Sequence, residues 1–167
     1  SDVCSSDLFS ALGTLLATSG LATALILVPA QPAAASSNYS LMEAFDPGTL
    51  PVGGVGSLEL GTRLTSAYTG AVTQAKFWKF AEDTSVHTAH VWDSSRNLLA
   101  TEQFTNETAS GWQTTTFDTP VAITGGQQFT VSVFSDAYAF NNAGWQVTPK
   151  KVGPLKAVGG FYNYTSA

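Results

Sequence analysis

Gln127-Gln-Phe-Thr-Val-Ser-Val-Phe-Ser135 is the stretch on which the fold class turns. Phe129, Val131 and Val133 fall on one side of an extended chain, and Gln128, Thr130 and Ser132 on the other. A period of two belongs to a strand, with one side against a core and the other against water, the pattern of antiparallel sheets. Working outward, similar β-branched or aromatic runs occupy Ser57–Ser66, Ala71–Phe80, Ser85–Asp93, Leu98–Phe104, Trp112–Asp118 and Gly144–Thr148. No window holds a 3.6-residue apolar period over ten residues. The runs recur at the spacing of sandwich strands. Alternation places Ala75 with Phe77, Ala89 with Val91, and Leu98 with Ala100 and Phe104. Two apolar inner faces predict an all-β protein, an antiparallel β-sandwich of jelly-roll or immunoglobulin-like type.

Turn chemistry agrees. Asp93-Ser-Ser-Arg-Asn97 separates two runs as a hairpin loop would, Ser110-Gly111 precedes Trp112, and Gly125-Gly126 follows Pro120–Thr124. Pro120 suits a strand start or a sheet edge. Ser36–Gly56, without a clear period, reads as a linker or an N-terminal arm lying across the sandwich.

Composition narrows the function. The 167 residues carry 7 Lys+Arg against 12 Asp+Glu, net −5, with 4 Trp, 5 Tyr and 10 Phe. That is too aromatic and too weakly charged for a disordered chain. Seven bases scattered along the sequence form no stripe for phosphates, which argues against a nucleic-acid partner. One Cys excludes a disulfide framework and a thiolate zinc site.

The N-terminal third divides into two further segments. Residues 1–8, SDVCSSDL, resemble the translated end of a widely used short-read sequencing adaptor, which implies that Asp2, Cys4 and Asp7 are not native. Residues 9–35 read as a signal peptide. An uncharged Leu/Ala-rich run from Phe9 to Val28 is followed by Pro29, and Ala33 and Ala35 fill the small positions before a cut at Ser36. The A-x-A site favours cleavage over a membrane anchor, so the expected product is secreted, extracellular or attached to a cell wall, with no membrane contact after cleavage.

The residues also carry a family resemblance. Glu59-Leu-Gly-Thr-Arg-Leu-Thr-Ser66, Lys76-Phe-Trp-Lys79, His87-Thr88, Val91-Trp-Asp-Ser94, Leu98-Leu-Ala-Thr101, Phe104-Thr-Asn-Glu-Thr-Ala-Ser-Gly-Trp-Gln113 and Pro120-Val-Ala-Ile-Thr-Gly125 resemble the secreted bacterial domain of unknown function 4082. The resemblance implies an accessory sandwich of carbohydrate-binding type, found beside other domains in longer chains. Three departures stand out. Arg96 replaces the usual loop glycine, Ala81–Val86 replaces a Gly-rich stretch, and the closing aromatic strand is absent after Ala167, implying a fragment that lacks its last strand.

For chemistry, His87 and His90 are three apart, a spacing that diverges on a strand, so the expected state is a buried, hydrogen-bonded His87 and an exposed His90 rather than a metal pair. Glu82 and Asp83 read as solvated loop carboxylates. No nucleophile elbow, phosphate loop or cofactor motif is present in the sequence, and the expectation is a non-enzyme without cofactor or metal. Asn38, Asn106 and Asn163 begin sequons read as Ser/Thr abundance, with Asn106 in a turn. Flat aromatics on a sandwich can stack on sugar rings while amides bind hydroxyls. Trp112 and Trp92 read as core residues. Trp145, Tyr138, Asn141 and Asn142, clustered in one irregular segment, are the candidate ligand contacts, with Trp78 of the Ala71–Phe80 run as a further candidate. The expected function is a carbohydrate-binding or cell-surface adhesion module, with a polysaccharide or cell-wall glycan as partner. The alternative is a spacer domain with no ligand of its own.

Overall fold

The computed structural model describes residues 37–42, 52–139 and 151–163. All lie in the compact unit Ser37–Ala167. The sequence-derived signal segment and the Gly144–Thr148 strand lie outside the described residues.

Eight strands follow in chain order: β1 (Val52–Ser66), β2 (Gly70–Lys79), β3 (Thr88–Trp92), β4 (Leu98–Gln103), β5 (Gly111–Ile123), β6 (Gln128–Ala139), β7 (Lys151–Val152) and β8 (Leu155–Asn163). They form a six-stranded sheet, β4-β3-β6-β1-β8-β7, and a two-stranded sheet, β2-β5. Every pairing is antiparallel. The two sheets pack face to face as a β-sandwich.

Between them lie Ala75, Ala89, Val91, Phe104 and Phe117, joined by Phe77, Val131 and Val133. A second cluster gathers Leu64, Phe129 and Ala157 with Leu41 of the 37–42 segment. The alternation of Phe129, Val131 and Val133 is thus the inner face of β6, as expected.

Differences from the sequence expectation have local causes. β1 begins at Val52, inside the stretch read as linker, and keeps pairing with β6 through register shifts at Val52/Gly54 and Val55/Leu58. The Pro120–Thr124 run is the end of β5, where the β2–β5 register jumps between Val72 and Gln74. Such an irregularity accommodates a proline, which has no N–H to give a ladder. Leu98, assigned to the core, is 51% exposed, because a register shift between Val91 and Trp92 displaces it. β8, which none of the sequence runs covers, pairs with β1 on one side and β7 on the other.

The Asp93–Asn97 loop is a hairpin, closed by a hydrogen bond from the Asp93 N–H to the Asn97 carbonyl at 3.0 Å. Its Arg96 has φ 68°, the left-handed conformation that glycine adopts without cost. Asn106, in a bend, also has positive φ, 57°, a conformation that Asn tolerates better than most residues.

Candidate functional site

The register of the six-stranded sheet sets which side chains share its outer face. Leu60, Thr62 and Leu64 of β1 stand opposite Val133, Val131 and Phe129 and point inward. Glu59, Gly61, Arg63 and Thr65 therefore face out, beside Phe134, Ser132, Thr130 and Gln128. On the far side of β6 the same rows continue into Thr88, His90 and Trp92 of β3. Beyond β1 they continue into Phe161, Gly159 and Lys156 of β8.

This outer face is not simply wet. Ser132 is 1% exposed, Thr130 5% and Glu59 3%, contrary to the expectation that the polar side of β6 meets water. Larger side chains cover them. Trp92 Nε1 donates to Ser132 Oγ at 2.7 Å, across the seam between β3 and β6. The Phe161 ring lies 6.3 Å from the indole, the two planes inclined by only 34°. The His90 ring is 5.5 Å from the same indole. Trp92, expected in the core, is thus half-buried on the opposite side of its strand.

His90, expected to be exposed, is also half-buried. Its Nδ1 donates to Glu59 at 2.9 and 3.1 Å, spanning β6 to join β3 with β1. Nδ1 carries a proton to do so, since a carboxylate has none to give. Gly61 is required beneath this cover. A Cβ there would lie 2.5 Å from both the Ser132 Cβ and the Val131 carbonyl oxygen.

A second polar cluster is internal. His87, fully buried as expected, presents Nε2 to Asp83 Oδ2 at 2.9 Å and Nδ1 to both Glu107 oxygens at 3.0 Å. Both ring nitrogens thus lie within hydrogen-bond distance of carboxyl oxygens. Lys79 Nζ adds a 2.7 Å contact to Glu107. Ser85 bonds Asp83 and, at 3.0 Å, Ser135.

Asp83 is therefore not a solvated loop carboxylate but 4% exposed, whereas Glu82 is exposed as expected. Burial pushes the Asp83 carboxyl upward, but hydrogen bonds from Ser85 and His87 outweigh it and hold the group below its ordinary value. Ser85, His87 and Glu107 have the composition of a nucleophile, base and orienting acid. Ser85 Oγ is 3.4 Å from Nε2, however, and Asp83 holds that nitrogen at 2.9 Å. The cluster is a strut tying the 80–87 loop to the 104–110 turn, and it gives Glu107 of the Phe104–Gln113 signature a physical role.

The sequence-derived contacts are not brought together. Trp145, Asn141 and Asn142 lie outside the described residues. Trp78 stands on the outer face of the two-stranded sheet, directly opposite Trp112, with ring centroids 5.5 Å apart at 83°. Tyr138 is on β6 in the other sheet, opposite Gly54. Both are half-buried, and the described residues do not join them in one site.

Sequence reasoning missed Trp92, Phe161, His90 and Glu59 as a group. They come from three strands spaced far apart in the chain, and only the even-numbered alternation of Thr88, His90 and Trp92 hinted at a common side. Among the described residues, no group of three or more His, Cys, Asp or Glu is arranged to hold a metal.

Two clefts, of about 210 Å³ beside Leu99, Ile123 and Phe129 and about 190 Å³ beside Glu102, Phe117 and Asp118, fall short of the roughly 300–1,000 Å³ of small-molecule pockets. A ligand of the outer face would lie along a surface.

An antiparallel β-sandwich with an aromatic and polar inlay on one sheet is the class of domain these features define. The chain belongs to the family of the domain of unknown function DUF4082, whose family model matches residues 44–167. No curated protein and no solved structure matches it.

Proposed function

We propose that this is an exported, non-catalytic accessory module that binds a polysaccharide, such as a cell-wall glycan, along the outer face of its six-stranded sheet. The observation that carries the reading is Trp92 pinned to Ser132 beside Phe161, with the Glu59–His90 pair adjoining. Flat rings held in place suit the apolar faces of sugars, and their hydroxyls find polar groups next to them. Rings held by packing and hydrogen bonds lose little freedom on binding.

Affinity electrophoresis against a panel of soluble polysaccharides tests this. Trp92→Ala and Phe161→Ala should abolish retardation, while Trp78→Ala, on the other sheet, should leave it intact. Retardation lost in Trp78→Ala or Trp145→Ala but kept in Trp92→Ala would return the site to the residues first singled out from the sequence. The spacer alternative draws support from Trp78 and Tyr138 standing half-buried on different sheets, and it predicts no retardation by any polymer. Export predicts a secreted form whose N-terminus, by mass spectrometry, falls at Ser36 or within a few residues of it.

A further inference from the structure

Three of the chain's seven basic residues share the outer face that carries Trp92 and Phe161. Thr65, on the Arg63 side of β1, pairs with Lys156, and Lys156 pairs with Lys151. Arg63, Lys156 and Lys151 are all exposed, and among the described residues none of them forms an ion pair with a carboxylate. Directly opposed like charges destabilise a strand pair, so the Lys151–Lys156 juxtaposition costs stability.

The Arg63 guanidinium is moreover seated. Its Nε donates to the Gly160 carbonyl at 3.0 Å. A Cβ on Gly159 would lie 2.6 Å from Nη2 and 3.1 Å from Cζ, so the missing side chain is the group's resting place. Nε is committed, and both Nη groups remain to donate. The acid nearest in the same face, Glu59, is buried and bound by His90, and Asp136 further along β6 accepts from Ser57 at 2.7 Å.

We propose that the glycan bound by this face is anionic, a chain bearing uronic-acid carboxylates, with Arg63, Lys156 and Lys151 as the carboxylate-binding track. The proposal rests on the polysaccharide-binding reading above and adds the substrate class. Trp92 and Arg63 are two strands apart in one row, roughly 10 Å at the usual strand spacing. Lys156 and Lys151 extend the line outward over β8 and β7, so successive sugars can stack on the aromatics and reach the cations. A planar guanidinium with two free N–H groups matches a carboxylate in bidentate fashion, which a neutral hydroxyl does not exploit. The chain's overall net −5 does not prevent this, because exposed charges beyond about 8 Å are largely screened at physiological salt.

The test is isothermal titration of the full chain with polygalacturonate oligomers, a neutral glucan, dextran sulfate and a single-stranded oligonucleotide. Polygalacturonate should bind, more weakly as salt is raised. Arg63→Gln should weaken it at least about tenfold, the value of a charge-assisted hydrogen bond. The double variant Lys151→Gln/Lys156→Gln should weaken it several-fold, and Arg63→Lys less than Arg63→Gln. The Lys pair is exposed and forms no ion pair with a carboxylate among the described residues, so it keeps the test valid should Arg63→Gln lose thermal stability.

Unchanged polygalacturonate affinity in both Arg63→Gln and the Lys double variant overturns the proposal. Binding of the neutral glucan alone, abolished by Trp92→Ala, overturns it while leaving the polysaccharide-binding reading intact. Equal affinity for dextran sulfate or the oligonucleotide overturns it in favour of an unspecific polyanion surface. No binding to any polymer overturns both readings.

Discussion

The indole of Trp92 and the hydroxyl of Ser132, on neighbouring strands, are joined by a 2.7 Å hydrogen bond that lays an aromatic ring over the middle of the six-stranded sheet. Ser132 is 1% exposed, so its hydroxyl makes this bond under cover. Ser132→Ala should cost about 1 kcal/mol of stability, the typical net worth of such a bond. It should also free the ring. Urea melts give the first quantity, and a changed Trp emission relative to native protein, with polysaccharide retardation weakened but not abolished, gives the second.

His87→Gln should be far more severe. The side chain sits between Asp83 and Glu107 with no exposure, and replacing the imidazole takes away the ring that bonds both buried carboxyl groups, leaving only Lys79 beside Glu107. Breaking a buried ionic arrangement in this way costs about 3–5 kcal/mol. Glu82→Gln, on the exposed neighbour, should change stability by no more than about 0.5 kcal/mol. Parallel denaturant titrations of the two variants make the comparison.

Acid should loosen the same strut. The Asp83 carboxyl is held below its ordinary value of 3.8, so the folded state favours its charged form more than the unfolded chain does. The resulting stabilisation is complete above the unfolded value and is lost as pH falls through the lowered folded one. Stability measured from pH 6 down to pH 2 should therefore decline below about pH 4 in the native chain. In Asp83→Asn the decline should be shallower from a lower starting point, and an identical slope in the two would remove Asp83 as its source.

Arg96→Gly should stabilise the domain. Arg96 holds φ 68° at an exposed loop position, and a side-chain-bearing residue pays about 1–2 kcal/mol there that glycine does not. Glycine's greater unfolded-state freedom takes back part of that gain, leaving an expected increase of roughly 0.5–1 kcal/mol. Differential scanning calorimetry should show a Tm raised by a few degrees. The family resemblance led to glycine at this position, and the backbone angle supplies the reason.

The sequence by itself determined the class of fold. Alternation at Phe129, Val131 and Val133 names an inner face whatever the neighbouring strands are, because side-chain direction on a strand is a local property with a period of two. The hairpin at Asp93–Asn97 is legible because it is set by residues close in the chain, and the inward side of His87 because it shares the period-two alternation of Ala89 and Val91.

What lies on the other face of each strand was decided only by tertiary structure. Ser132 is polar and was read as wet, yet Trp92 from β3, Phe161 from β8 and the Glu59–His90 bridge from β1 and β3 converge in the cover around it. That depends on strand order, β3-β6-β1-β8, which brings together residues up to about a hundred positions apart. The gathering of Arg63, Lys156 and Lys151, and the closure of His87 by Glu107, have the same origin. Bases that are scattered along a chain become neighbours only when pairing register puts them in one row, and register is a property of two strands that neither strand's sequence states alone.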